Sequence, residues 1–221
     1  HLSSGPQYYF GEVTITGAEE YSRDFLFRYV AFKPGEIYLA SKWDRTRSNF
    51  RGANRFTDIV IISKIEKAEN FRVPIEINLE PLPPKRIRNG IGYAENTRFR
   101  VSNNFQHVNF WGTGHELNTN VVLGQDYQLA ELRYIIPGYK HFENANVLSA
   151  GLEHEDIKTY QSTSAFLEWE KLFSLGVDKV GSIYTRYLYE DYEIGEEDNT
   201  TRLLLPGVRY IQRSYNDPVN P

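Results

Sequence analysis

The chain has 221 residues, room for one large domain or two modest ones, with 40% hydrophobic and 14% aromatic residues and a net charge of −4. No segment approaches the ~20 apolar residues of a spanning helix, which excludes helical insertion but not a β-barrel, whose alternating strands average to a polar composition. The mild charge argues against a nucleic-acid partner, and the absence of cysteine excludes a disulfide framework and thiol metal sites.

The chain starts at His1 with no charged-then-apolar leader, so it reads as a processed or excised piece. "YYFGEVTITG" (8–17) alternates around Phe10, Val13 and Ile15 and ends in a glycine, as a strand does. Ser22 precedes a helical pattern of Phe25, Leu26 and Tyr29, which Pro34-Gly35 breaks. Ser41 with Asp44 is a capping-box-like start for a second helix carrying Trp43 and Phe50 on one face. Asn54 suits the left-handed residue that ends it. Segments 55–65 and 71–80 predict two further strands joined by a charged turn. The order β-α-α-β-β buries one face of a small sheet under two helices.

"FGEVTITG", "FKPGEIY" followed by Ser41-Lys42, and the Phe56–Val60 pattern together resemble a POTRA (polypeptide-transport-associated) domain. Where that family commonly shows Gly-Tyr-Phe, this chain has Asn54-Arg55-Phe56. The domain is expected over 1–82, with a short Pro-rich linker at 83–86.

From Ile87 onward about eight strands are expected, near 87–95, 98–111, 115–124, 127–136, 144–155, 162–173, 178–191 and 201–214, each close to the ~9–11 residues of a tilted transmembrane strand. Ala130, Leu132, Tyr134 and Ile136 oppose Glu131 and Arg133. Leu148, Ala150 and Leu152 oppose Ser149, Gly151 and Glu153. Ala165, Leu167, Trp169 and Phe173 oppose Glu168 and Glu170, and Lys171 interrupts that apolar face. A soluble sandwich turns such apolar faces inward, whereas a membrane barrel turns them to lipid and keeps its charges in a wet lumen. Periodicity does not distinguish the two. Tight turns ("WGTGHE", "SLGVDK") alternating with longer acidic ones ("EHEDIKTYQS", "EDYEIGEEDNTT") favour the barrel, while the long "PGYKHFENAN" weakens the contrast.

The segment 188–221 adds a resemblance. Tyr187, Glu190, Asp191, Tyr192, Leu205, Pro206, Gly207, Asp217, Pro218 and Pro221 are similar in type and spacing to a mid-barrel region of TamA-like outer-membrane proteins of the BamA/TamA superfamily. "RIRNGIGYAENTRFRVSNNFQHVNFWGTGHEL" likewise resembles the first hairpin of that barrel. The resemblance implies an α+β POTRA domain followed by antiparallel transmembrane β-barrel strands, with 87–221 as the N-terminal part of a larger barrel. The expected piece ends before that family's lid-loop Arg-Gly-Phe motif and closing strand.

Proteins of this superfamily are not enzymes; they insert or export β-rich client proteins such as autotransporters. The resemblance implies no cofactor, a place in the bacterial outer membrane with the POTRA domain in the periplasm, and contact with the bilayer, lipopolysaccharide and a TamB-like inner-membrane partner. It implies a lateral gate at the first barrel strand, here Ile87, Asn89, Gly90, Ile91, Gly92 and Tyr93. The two glycines weaken that strand's packing, or alternatively permit a bend or close packing at a barrel corner. A second binding candidate is the POTRA strand with Tyr9, Phe10, Val13 and Ile15, an edge able to accept a strand or simply a satisfied small-domain sheet. Glu131, Arg133, Glu168, Glu170 and Arg209 are expected to face the lumen.

Weaker signals read as structural. His107, His115, His141 and His154 lack ligand spacing, and the acids of 190–198 lack the order of a calcium loop. Lys85, Arg86 and Arg88 suit lipid headgroups or a lumen rim. No Ser–His–Asp grouping or phosphate loop appears. A two-partner-secretion transporter and a soluble β-binding domain remain as alternatives.

Overall fold

A computed structural model describes residues 6–94, 98–138, 141–157, 160–176, 178–194 and 197–212. The chain divides into two compact units, His1–Pro84 with Trp111–Gly114, and Lys85–Phe110 with His115–Pro221.

The first unit runs β1 (Tyr9–Thr16), α1 (Arg23–Phe27), α2 (Ala40–Gly52), β2 (Phe56–Ser63) and β3 (Arg72–Pro81). The sheet order is β1-β3-β2, with β1 parallel and β2 antiparallel to the central strand. This is the β-α-α-β-β order expected from the sequence. Ser22 caps α1, its hydroxyl accepting from the Phe25 amide. Asn54 takes the left-handed conformation after α2, with φ of 52°. The start of α2 differs from the expected capping box. Tyr38 donates its amide to Tyr8, which pins the chain just ahead of the helix, and the cap falls on Leu39 with no side-chain hydrogen bond. Ser41 therefore lies inside the first turn and exposed.

One sheet face alternates into the core through Val73, Ile75, Ile77 and Leu79, joined by Val13 and Ile61. Phe50 is fully buried and meets Tyr29 at 5.2 Å and Phe56 at 5.6 Å. Tyr21 and Phe25 close the cluster. The buried face of α2 is Thr46, Asn49 and Phe50, while Trp43 sits half-exposed under the Arg47 guanidinium, 4.4 Å from its ring. Thr46 and Asn49 are satisfied: the Thr46 hydroxyl accepts from the Ala31 amide, and Asn49 donates to the Tyr29 carbonyl. Burial raises the Tyr21 phenol pKa against the opposing pull of Arg55. A Lys42 hydrogen bond holds Glu36 below the usual carboxylate range, and Lys64 does the same for Glu76.

The second unit holds β4 (Lys85–Ala94), β5 (Arg98–Phe110), β6 (His115–Gly124), β7 (Tyr127–Pro137), β8 (Ala145–Ile157), β9 (Tyr160–Gly176), β10 (Lys179–Ile194) and β11 (Glu197–Gln212). Each strand pairs antiparallel with its sequence neighbours in one eight-stranded sheet, leaving β4 and β11 at its edges. The first strand begins two residues earlier than expected, because Lys85 and Arg86 already pair with His107 and Gln106.

The expected long acidic loops are mostly strand. Glu153 to Ile157 pair with Ser164 to Tyr160, and Glu190 to Ile194 with Thr201 to Glu197. Their acids are tied across the ladder to hydroxyls: Thr200 donates to Asp191, and Tyr160 and Ser162 donate to Glu190. Gly138 and 141–144, the described residues between β7 and β8, form no strand and are anchored where Glu143 and Asn144 accept from Ser174. Asp217, Pro218 and Pro221 lie outside the described residues.

Register sorts the side chains into two faces. One carries Ile87, Ile91, Val101, Val121, Leu132, Ala150, Leu167, Tyr187, Leu204 and Val208. The other carries Arg88, Asn104, Asn120, Glu131, Ser149, Glu168, Arg186 and Arg209. Burial runs opposite to that of a water-soluble core. On the apolar face Leu152 and Leu167 are each 64% exposed and Val208 82%, while Glu170 on the polar face is 3% exposed.

Candidate functional site

The fold offers other molecules the β4 and β11 edges of the large sheet, its two faces, and the edges of the small one.

The β4 strand uses one side for β5, and no other described strand pairs with its outer side. Unpaired amides and carbonyls along such an edge are a template for another strand. Ile87, Ile91 and Tyr93 stand on its apolar face, the latter two more than three-quarters exposed. Asn89 sits among them and accepts a 2.7 Å hydrogen bond from Asn103 directly opposite. Gly90 and Gly92 lie on the polar face with Arg86 and Arg88. A Cβ at Gly90 would come within 2.6 Å of the Ser102 hydroxyl, and one at Gly92 within 3.2 Å of Arg100 Nε. The glycines therefore make room for β5 side chains as well as baring the edge.

The five residues expected to face one way do share a face. Glu170 is the best held of them: Ser182 donates to it at 2.6 Å and Arg209 at 2.7 Å, tying β9, β10 and β11 together. Glu168 lies 3.9 Å from Arg186, whose guanidinium covers the Phe166 ring. Glu131 is not paired with its strand neighbour Arg133; it accepts from Asn120 on β6. Rings close the gaps left by glycines, with Phe166 over Gly151 and Tyr184 over Gly207, and on the apolar face Phe173 over Gly181.

On the apolar face, near the β5–β6 and β7–β8 turns, the rings of His107, Phe110, His115 and Tyr134 gather, and His115 Nδ1 shares a 2.6 Å hydrogen bond with the Tyr134 hydroxyl. No group of three metal-ligating side chains occurs among the described residues. No helix is long and apolar enough to cross a membrane, which leaves strands as the only possible spanning elements among the described residues.

In the small sheet, β1 is an edge, but only in part an open one. Phe10 donates to the Glu36 carbonyl and accepts from the Gly35 amide, so the 33–38 loop covers the Tyr9–Phe10 end. Phe10 and Val13 are core residues. What β1 offers outward is Glu12, Thr14 and Thr16, with Ile15 half-buried. The other edge, β2, escapes sequence reasoning and is the more open one. A register shift and the Asp58 carboxylate, which accepts from the Ile59 amide, protect its first half. Its second half exposes Val60 and Ile62. Both residues are visible in the sequence, but their edge position depends on the strand order.

Residues 8–81 match the POTRA family, described as surface antigen variable number repeat. A curated relative from Treponema pallidum (strain Nichols), named "Putative outer membrane protein assembly factor", is 23% identical over 128 residues, covering 56% of this chain and 15% of that protein. BamA from Haemophilus ducreyi lacking POTRA domains 1–3 shares the fold, with a TM-score of 0.71 at 14% identity over 99% of this chain and 47% of that one. CdiB from Acinetobacter baumannii matches with a TM-score of 0.60 at 14% identity, over 95% of this chain and 44% of that one. The chain thus spans less than half the length of these proteins. It joins a POTRA domain at residues 8–81 to an eight-stranded antiparallel sheet that matches the barrel strands of BamA.

Proposed function

We propose that this chain is part of an outer-membrane assembly or translocation factor that handles β-rich clients, and that it does no covalent chemistry. In this reading the large sheet lies in the bilayer with its apolar face toward lipid and its polar face toward a wet lumen. The POTRA domain, residues 1–82 with the joint shortened to 83–84 because β4 already begins at Lys85, stands in the periplasm. The inverted burial of the sheet carries the reading: exposed Leu152, Leu167 and Val208 against buried Glu170. A water-soluble domain rarely exposes a contiguous apolar surface of this extent, which counts against a soluble β-binding protein. The ring cluster around Tyr134 and His115 suits a membrane interface, where amphipathic rings settle.

Client contact is assigned to two places. The β4 edge, Ile87 to Tyr93, accepts a client strand by backbone pairing, as a lateral gate. The small sheet takes extended segments at the open part of β1 or the second half of β2. A TamA-like placement, with autotransporter clients, a TamB-like partner and lipopolysaccharide around the barrel, is the finer form of this reading.

The gate can be tested with a single cysteine at Gly92, since the chain has none of its own. The substitution displaces only the flexible end of Arg100. A client with a cysteine in its last strand is expected to form a disulfide there, and not with a cysteine at Leu132 in the middle of the sheet. Equal yields at the two positions, or none at Gly92, would sink the gate.

A further inference from the structure

We infer that the β4 edge is selective for strands carrying acidic residues across from Arg86 and Arg88 and aromatic residues across from Gly90 and Gly92. This rests on β4 being a strand acceptor and adds the chemistry of what it accepts.

Cross-strand neighbours share a face, so an incoming strand sets alternate side chains beside Arg86, Arg88, Gly90 and Gly92. Arg86 and Arg88, with Arg133, line a polar groove of about 320 Å³ together with Asn104, Gln106 and Asn118. The nearby carboxylates are already engaged by amides, Glu131 by Asn120 and Glu116 by Gln106 and Asn118. Among the described residues no carboxylate forms an ion pair with any of these three arginines. On the far half of the same face the charges are matched, Arg186 with Glu168 and Arg209 with Glu170. Amide hydrogen bonds leave the charges of Glu131 and Glu116 in place, so three arginines against these two carboxylates leave a net positive charge at the open edge, which an acidic partner strand neutralises.

The aromatic half of the preference follows from how this sheet treats its other glycines away from the strand ends. Gly151, Gly181 and Gly207 each lie beneath a ring from an adjacent strand. Gly90 and Gly92 have Ser102 and Arg100 as β5 neighbours instead of rings. Strand β9 shows the two contacts separately: Phe166 covers Gly151 of β8 on one side, and Glu168 and Glu170 meet Arg186 of β10 and Arg209 of β11 on the other. The strand read by β4 combines both: acid, any, acid, any, aromatic, any, aromatic, in one direction or the other.

The test uses the whole chain with a cysteine at Tyr93, which leaves both glycines in place, folded into phosphatidylcholine vesicles so that no anionic lipid competes. Synthetic extended peptides with a terminal cysteine carry the acid–aromatic pattern, the same pattern with Lys for each acid, or with Ala for each ring. Disulfide yield is expected to favour the acid–aromatic peptide by about threefold to tenfold over each of the others, the range that two or three cross-strand pairs supply. The double variant R86E/R88E is expected to reverse the charge preference in favour of the Lys peptide, a gain that a misfolded sheet cannot give. Equal yields for all three peptides would overturn the selectivity while leaving β4 an acceptor. Absence of adducts with every peptide would overturn the acceptor and the selectivity with it.

Discussion

Leu167→Arg is expected to destabilise the large sheet in a bilayer by about 2–4 kcal/mol, the cost of a cation on the lipid face of a barrel near its midplane. Leu167 lies in one cross-strand row with Leu132, Ala150, Tyr187 and Leu204, flanked by Tyr134, Leu148 and Trp169 on one side and by Ala130, Leu152, Ala165 and Tyr189 on the other, the latter row reaching a cation only at Arg202 on β11. Arginine there has no partner on its own face. The adjacent Glu168 points to the other face, and Glu168→Gln loses only a 3.9 Å, partly exposed ion pair with Arg186, a change of about 1 kcal/mol or less. Urea unfolding of the chain in phospholipid vesicles, followed by Trp169 fluorescence, measures both. If the apolar face met water instead, Leu167→Arg would be close to neutral and would improve solubility.

Phe50→Ala is expected to cost the POTRA domain about 3–5 kcal/mol, the range for removing a fully buried phenylalanine. The ring holds α2 to the sheet by touching Tyr29 after α1 and Phe56 at the head of β2. A domain of this size has a total stability of only about 5–15 kcal/mol, so the change removes a large part of it. Loss of near-ultraviolet circular dichroism and faster proteolysis within residues 8–81 are the expected signs. Ser48→Ala on the exposed side of the same helix is expected to change stability by less than about 0.5 kcal/mol and serves as control.

The order of elements was legible because its signals are local. Ser22 as a cap, Asn54 at positive φ, and the two-residue alternation of Ala130 to Ile136 each depend on a few neighbouring residues. Non-local facts were not legible. Alternation puts Glu170 and Leu167 on opposite faces, yet only the folded sheet shows that Glu170 is the enclosed one, held by Ser182 and Arg209 from two other strands. The acidic stretches near Glu155 and Glu193 look like loops by composition. They become strands because their backbones pair across the hairpins, Glu155 with Ser162 and Glu193 with Asp198, even though the second pair sets two acids opposite each other. The small-sheet edges show the same limit. Phe10 looked available on a strand read by itself, but the 33–38 loop covers it, and β2 is exposed only because β3 inserts between β1 and β2.

The central claim is that the sheet is turned inside out, with Leu132, Ala150 and Leu167 against lipid and Glu131, Ser149 and Glu168 against water. Because the native chain lacks cysteine, each of these six positions can carry a single one in turn, labelled with an environment-sensitive fluorophore in folded, vesicle-inserted protein. Labels at 132, 150 and 167 are expected to be quenched by a lipid-phase quencher and shielded from iodide, with the reverse at 131, 149 and 168. The opposite pattern, or uniform iodide quenching at all six, would contradict a membrane-embedded sheet.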